Sequence, residues 1–136
     1  MILEDLTGVD QQIAVSGRID RIDRDADGRL DLLDIKTGAK IPTEDTVVHD
    51  LQLALYQAAV LSSALSVPLD IDDPRIAQAA LVFVAEDAGQ GSADPKTLIQ
   101  PALTSPGDVS WFFETVRVAV TSMRASQFPP RSGDHC

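Results

Sequence analysis

The tetrapeptide Asp25-Ala26-Asp27-Gly28 stands between two runs of branched aliphatic residues, and it leaves the chain few choices. Before it, Ile13, Val15, Ile19 and Ile22 give a β-rich pattern with partial alternation across residues 12–22. After it, residues 30–36 read as a return strand. Asp and Gly tolerate the left-handed backbone that tight hairpins require. A three-residue loop, Ala26-Asp27-Gly28 with Gly28 left-handed, sets Asp25 against Arg29. Counting back along the ladder then places Asp20 opposite Asp34. Directly opposed Cβ atoms lie about 4.5–5.5 Å apart, so both carboxylates can reach one cation. Alternation puts Lys36 on the same face as Asp34, and a one-residue change of loop length would break the arrangement.

The same stretch supports a rival reading. From Asp23, the sequence DRDADGRLDLLD fits an EF-hand calcium loop over residues 23–34. Asp23, Asp25 and Asp27 take the first three ligand positions, Gly28 the turn, Asp31 the ninth position and Asp34 the twelfth. An EF-hand needs a helix on each side. The flanks here carry β-branched residues with Gly before the loop and Gly with Pro after it, which suit no helix.

The rest of the chain reads as a small mixed α/β domain. Residues 47–65 form a Leu- and Ala-rich helix with Val48, Leu51, Leu55 and Ala58 as its core-facing stripe. Residues 77–85 are a continuous apolar run of strand length, of the kind buried on both faces of a sheet. Residues 97–103 can add a strand that Pro101 confines to an edge. A last helix starts with Ser105 as cap, Pro106 in the first turn and Asp108 three residues after the cap. Its face is Val109, Phe112, Phe113, Val116, Val120 and Met123.

Bulk properties narrow the function classes. The 136 residues are 44% hydrophobic, enough for one domain with a real core. The formal charge is −10, from 11 Lys and Arg against 21 Asp and Glu. That argues against a stand-alone nucleic-acid binder, which neutralises phosphates with clustered Lys and Arg. It leaves open an enzyme that meets nucleic acid through a metal. No apolar run approaches the ~20 residues of a membrane span. The acidic start lacks a secretory signal, and a single cysteine excludes an internal disulfide, so a cytoplasmic setting is expected. The chain enters a strand pattern almost at once and stops straight after a Pro-Pro-Arg-Ser-Gly loop, which reads as a piece of a longer polypeptide.

On spacing alone, Asp20, Asp34 and Lys36 are either ordinary ion pairs at strand ends or a site for metal-assisted phosphodiester hydrolysis. Two carboxylates suit Mg²⁺, which keeps several waters, and a nearby ammonium can stabilise charge on a phosphoryl group.

Three motifs then carry a resemblance: Gly17-Arg18-Ile19-Asp20-Arg21-Ile22-Asp23, Asp34-Ile35-Lys36-Thr37-Gly38, and Gln52-Leu53-Ala54-Leu55-Tyr56 on the expected helix. In this order the chain resembles the PD-(D/E)XK nucleases of the RecB type. Within that type it is similar to the C-terminal nuclease domains of actinobacterial AdnA/AdnB helicase–nucleases. The resemblance implies a restriction-endonuclease-like α/β core, a mixed central β-sheet with flanking helices, filling residues 1–136 as one domain. It implies a Mg²⁺- or Mn²⁺-dependent deoxyribonuclease acting on double-strand break ends, on single strands fed by a helicase in cis beside a partner subunit. Asp20, Asp34 and the backbone carbonyl of Ile35 would hold the metal, and Lys36 would be the catalytic lysine. Gln52 and Tyr56, one turn apart, would contact DNA or orient the site. Relatives carry an earlier helix with a histidine near the metal, and neither His49 nor His135 is placed to replace it. Many also hold a [4Fe–4S] cluster, which needs four thiolates. Cys136 could be one ligand of it in the intact protein only. The alternative is a catalytically inactive or calcium-binding structural module.

Overall fold

Turn chemistry and strand alternation place the elements in the order they are met. The computed structural model describes residues 2–3, 13–62, 73–87, 89, 92–104 and 106–124. A two-stranded antiparallel ribbon pairs β1 (Ile2–Leu3) with β2 (Ile13–Ala14). The hairpin follows as β3 (Arg21–Arg24) and β4 (Leu30–Lys36), antiparallel, with Arg24 opposite Leu30 and Arg21 opposite Leu33. Gly28 takes a φ of 77°, the left-handed conformation the turn demands. The Asp25 amide donates to the Arg29 carbonyl at 2.9 Å, closing the loop in the expected register. The expected continuous strand over residues 12–22 is interrupted. Residues 15–20 leave the ladder, and Asp20 sits on a bend just before β3.

The main sheet has the order β3-β4-β5-β6, with β5 at Ile76–Asp87 and β6 at Pro95–Pro101. Strands β4 and β5 are parallel, and the other two pairings are antiparallel. A parallel pair needs a long crossover, and α1 (Glu44–Val48) and α2 (Leu51–Leu61) lie within it. β6 is the edge strand, as Pro101 requires. Alternation along β4 turns Leu30, Leu32 and Asp34 inward. Leu30 and Leu32 meet Ala79, Leu81 and Phe83 of β5 and Leu53, Tyr56 and Val60 of α2 in the principal core. The expectation that β5 is buried on both faces holds only in part, since Val84 is exposed.

The single helix expected from residue 47 is two helices broken at His49-Asp50, and residues 63–65 of that expectation lie outside the described residues. Thr43 caps α1, its side chain accepting from the Thr46 amide, and Asp50 caps α2 by accepting from Leu53. The break shifts the phase of the buried face. Val48 and Leu51 are exposed, while Leu53, Ala54, Tyr56, Gln57 and Val60 are buried. One side of α2 packs on the sheet and the other receives α3 (Pro106–Arg124) through Ala54, Phe112 and Val116. The described domain is therefore a sheet, a layer of α1 and α2, and α3 outside them. The Ser105 cap lies outside the described residues, and Met123 is exposed at the helix end instead of joining the stripe.

Candidate active site

The ladder between β3 and β4 ends at Arg21 and Leu33, so the last residues of β4 run on without a strand partner on that edge. The chain uses a side chain there. The Asp20 carboxylate accepts the Ile35 amide at 3.0 Å, which fixes one carboxylate oxygen against the end of β4. In a strand, one residue's N–H and C=O face the same edge, so the Ile35 carbonyl looks to the side on which Asp20 stands. Alternation meanwhile directs Asp34 and Lys36 to the face covered by α2. The site thus forms at the carboxyl end of β4, beside the parallel pair, where open α/β sheets commonly bind ligands.

Asp34 is 3% exposed and holds its position through a closed polar circuit. Its Oδ1 accepts from the Gln52 side-chain amide at 2.9 Å and from the Tyr56 hydroxyl at 3.0 Å. The same Gln52 amide donates to the Tyr56 oxygen at 2.7 Å, and Gln52 Oε1 accepts from the Lys36 ammonium at 2.9 Å. Lys36 allows one orientation of that amide, since the flipped form would set donor against donor. Asp34 Oδ2 differs from Oδ1. The Lys36 ammonium lies 2.6 Å away, but off the direction of a hydrogen bond, and leaves Oδ2 buried without one. Charge is balanced there while hydrogen-bonding capacity is left over.

That spare oxygen bears on metal binding. Asp34 Oδ2, the Asp20 oxygen not taken by Ile35 and the Ile35 carbonyl are hard oxygen donors at one end of one strand. Among the described residues no group of three or more His, Cys, Asp or Glu could enclose an ion. The donor set therefore fits a divalent cation that keeps most of its water, which is the habit of Mg²⁺. It does not fit a closed protein cage.

Tyr56 carries the shifted titration in this circuit. Burial, then its hydrogen bond to Asp34 and the negative charge of Asp34 and Asp20, raise its pKa above the usual tyrosine value against an opposing bond from Gln52. The phenol therefore stays protonated as a donor. A pKa raised in the fold gives stability that is present below the ordinary tyrosine pKa and lost as pH climbs toward the folded value. Stability should be flat through neutrality and fall in the alkaline range above about pH 10. Tyr56 is the chain's one tyrosine, so phenolate absorbance reports it alone. Tyr56→Phe should remove the alkaline slope and lose the Asp34 hydrogen bond.

The calcium reading of residues 23–34 is overturned by where the carboxylates go. Asp25 Oδ1 accepts the Asp27 and Arg29 amides at 2.9 and 2.8 Å, and Oδ2 accepts the Arg29 guanidinium at 2.9 Å. The Arg29 amide foremost, with its guanidinium and the Asp27 amide, holds the Asp25 carboxyl below its ordinary range. Asp23 pairs with Arg21 at 2.9 Å. Strands flank the loop where an EF-hand would have helices, and these aspartates turn the chain.

The structure thus brings Asp20, Asp34, Lys36, Gln52 and Tyr56 together. His49 stays outside, exposed, with its ring edge-on to Trp111 at 5.2 Å. Cys136 and His135 lie outside the described residues. The sequence reading passed over Arg18, whose guanidinium lies 3.9 Å from Asp20. Its place two residues before Asp20 was the available signal. The family model of the PD-(D/E)XK nuclease superfamily matches residues 2–136. No curated protein matches the chain.

Proposed function

The chain belongs to the PD-(D/E)XK nuclease superfamily, and from that premise we propose that it is a Mg²⁺- or Mn²⁺-dependent deoxyribonuclease. The observation that carries the reading is the buried Asp34 oxygen without a hydrogen bond, beside Lys36 and on the strand end that Asp20 caps. Asp20, Asp34 and the Ile35 carbonyl would hold the ion. When bound, the ion supplies a water of lowered pKa and offsets charge gathering on the phosphoryl oxygens. Gln52 and Tyr56 fix Asp34 Oδ1 and so would leave Oδ2 as the oxygen that holds the ion. Gln52 also holds the Lys36 ammonium, whose remaining protons can meet a phosphoryl oxygen in the transition state. In this reading Gln52 and Tyr56 orient the site.

The finer reading is an exonuclease domain of a RecB-like, AdnA/AdnB-type helicase–nuclease that processes DNA double-strand breaks in the cytoplasm. The three motifs in their order support it. So does the net charge of −10, which leaves the DNA track to a motor in cis and a partner subunit. Cys136 would supply one ligand to a cluster completed elsewhere in the intact protein. No helix among the described residues is long and apolar enough to cross a membrane. In the intact protein, Asp34→Ala should abolish cleavage and leave DNA-stimulated ATP hydrolysis in place. Cleavage that survives this change, and Lys36→Ala as well, would sink the assignment.

Calorimetry separates this reading from a calcium module. Mn²⁺ should bind the wild type and Asp27→Ala alike, because Asp27 belongs to the turn. Loss of binding on changing Asp27 would return the site to the loop.

A further inference from the structure

Beside the carboxylates, the segment of residues 15–22 and helix α2 enclose a groove of about 850 Å³. Its walls are the side chains of Ile19, Ile22, Leu51 and Leu55, with Ser16 and Arg18 at the rim. Gln52 and Tyr56 also line it, and both donate to Asp34, so the groove opens onto the candidate active site. Gly17 leaves one margin bare, since a Cβ there would meet nothing within 4 Å. Such a volume lies within the ~300–1,000 Å³ of small-ligand sites, and apolar walls with a few polar groups are their usual lining.

We infer that this groove is a nucleotide subsite, taking the unpaired base next to the scissile phosphate while Arg18 grips a phosphate oxygen. The inference rests on the nuclease reading above. A phosphodiester held at Asp20 and Asp34 carries a nucleoside on each side, and the groove is the apolar surface continuous with that point. A base is a flat apolar body with a polar edge, which suits aliphatic walls under a rim of Ser16, Arg18 and Gln52. Arg18 is free to act. Its side chain is 90% exposed and its pairing with Asp20 is loose at 3.9 Å, an exposed contact of little worth. A phosphate offers the guanidinium a stronger, bidentate partner. Arg18 stands on the groove side of Asp20, where it can offset the local acidity that would otherwise repel the backbone. A base inside a duplex is already stacked and paired, so the groove admits a base only from a single strand.

The test uses thymidine 3′,5′-bisphosphate, which has a base and two phosphates but no phosphodiester to cleave. Deoxyribose 3,5-bisphosphate is its base-free control, and the full chain is titrated with each in Mg²⁺ while methyl resonances are followed. The base-bearing compound should shift the methyls of Ile19, Ile22, Leu51 and Leu55. It should also bind about fivefold more tightly than the control, the low end of what a stacked base contributes. Ala59 of α2 also lines the groove, and Ala59→Phe, which fills it, should remove that preference and leave the control's affinity unchanged. Leu51→Ala opens the wall at a half-exposed position and should lose part of the preference, which keeps the test decisive if the larger side chain disturbs α2. Arg18→Ala should weaken both compounds by the same factor. Equal affinity for the two compounds, or groove methyls that do not move, overturns the proposal. Mg²⁺-dependent cleavage of single-stranded DNA by the intact protein reads the underlying assignment separately. Cleavage without base preference sinks the groove alone, while base preference without cleavage upholds the groove and sinks the nuclease reading.

Discussion

Lys36→Met should reduce DNA cleavage by roughly 10²–10⁴-fold, the range for losing a group that acts on the transition state, and should also destabilise the metal-free fold. The second effect follows from where the charges sit. Asp34 is 3% exposed, and the Lys36 ammonium 2.6 Å away is the cation that balances it. Removing that cation leaves a buried carboxylate, and breaking a buried pair from one side costs about 3–5 kcal/mol. The Lys36 side chain is 35% exposed and solvent already screens part of the attraction, so a loss of about 2–3 kcal/mol is the fitting expectation. Urea unfolding measures it.

Asp34→Asn should behave differently although it stops cleavage just as well. The neutral amide keeps the shape and its oxygen can still accept from Gln52 and Tyr56, but its NH₂ takes the buried place of Oδ2 beside the Lys36 ammonium, donor against donor. Stability should fall by about 1–3 kcal/mol, the cost of a buried donor left unmet. Mg²⁺ then distinguishes the two variants. An ion that binds the folded state stabilises it by mass action, so Mg²⁺ should restore much of what Lys36→Met loses by meeting the uncovered carboxylate. It should do nothing for Asp34→Asn. No recovery of Lys36→Met with Mg²⁺, or the same recovery in both variants, would mean that Lys36 and Asp34 are an ordinary ion pair and not a metal site.

The contrast between what was and was not legible in the sequence follows the range of each interaction. The hairpin register depends on a turn and on counting, both local, so Asp34 and Lys36 fall on β4 as expected. Asp20, expected opposite Asp34 in the ladder, instead lies on a bend just before β3 and reaches the end of β4 through its side chain. Gln52 and Tyr56 were legible through the third motif that carries the family resemblance, and helical spacing adds only that they share one face. The break at His49-Asp50 was missed because no Pro or Gly marks it. Asp50 as an N-cap was the available clue, outweighed by an unbroken apolar pattern on both sides. The phase error on α2 has the same root, together with a helix that buries two faces instead of one. The polar pairing of Gln57 with Gln100 spans 43 positions and has no period for a pattern to detect.

That pair supports the other large effect. Gln100→Leu should cost about 2–4 kcal/mol of stability, as expected for a deleted buried partner that leaves several groups unmet. Gln100 is fully buried, and its amide donates to the carbonyls of Val47, Val48 and Asp50 at 3.2, 3.1 and 3.0 Å, clamping the junction of α1 and α2 to β6. Its Oε1 accepts from Gln57 at 2.9 Å, and Gln57 Oε1 accepts the Leu103 amide at 2.8 Å. Leucine fills nearly the same space, so packing changes little and the loss measures hydrogen bonding. Gln57→Leu alone should also destabilise, and the double variant should lose less than the sum, because each single change strands the other amide. The effect should reach the site as well. Gln52 stands two residues beyond Asp50, in the first turn of the helix whose start Gln100 holds. Loosening that start lets Gln52 and Tyr56 drift from Asp34, so cleavage should fall by about tenfold in protein that is still folded. Full activity in a destabilised Gln100→Leu would show that the clamp supports the fold without aligning the site.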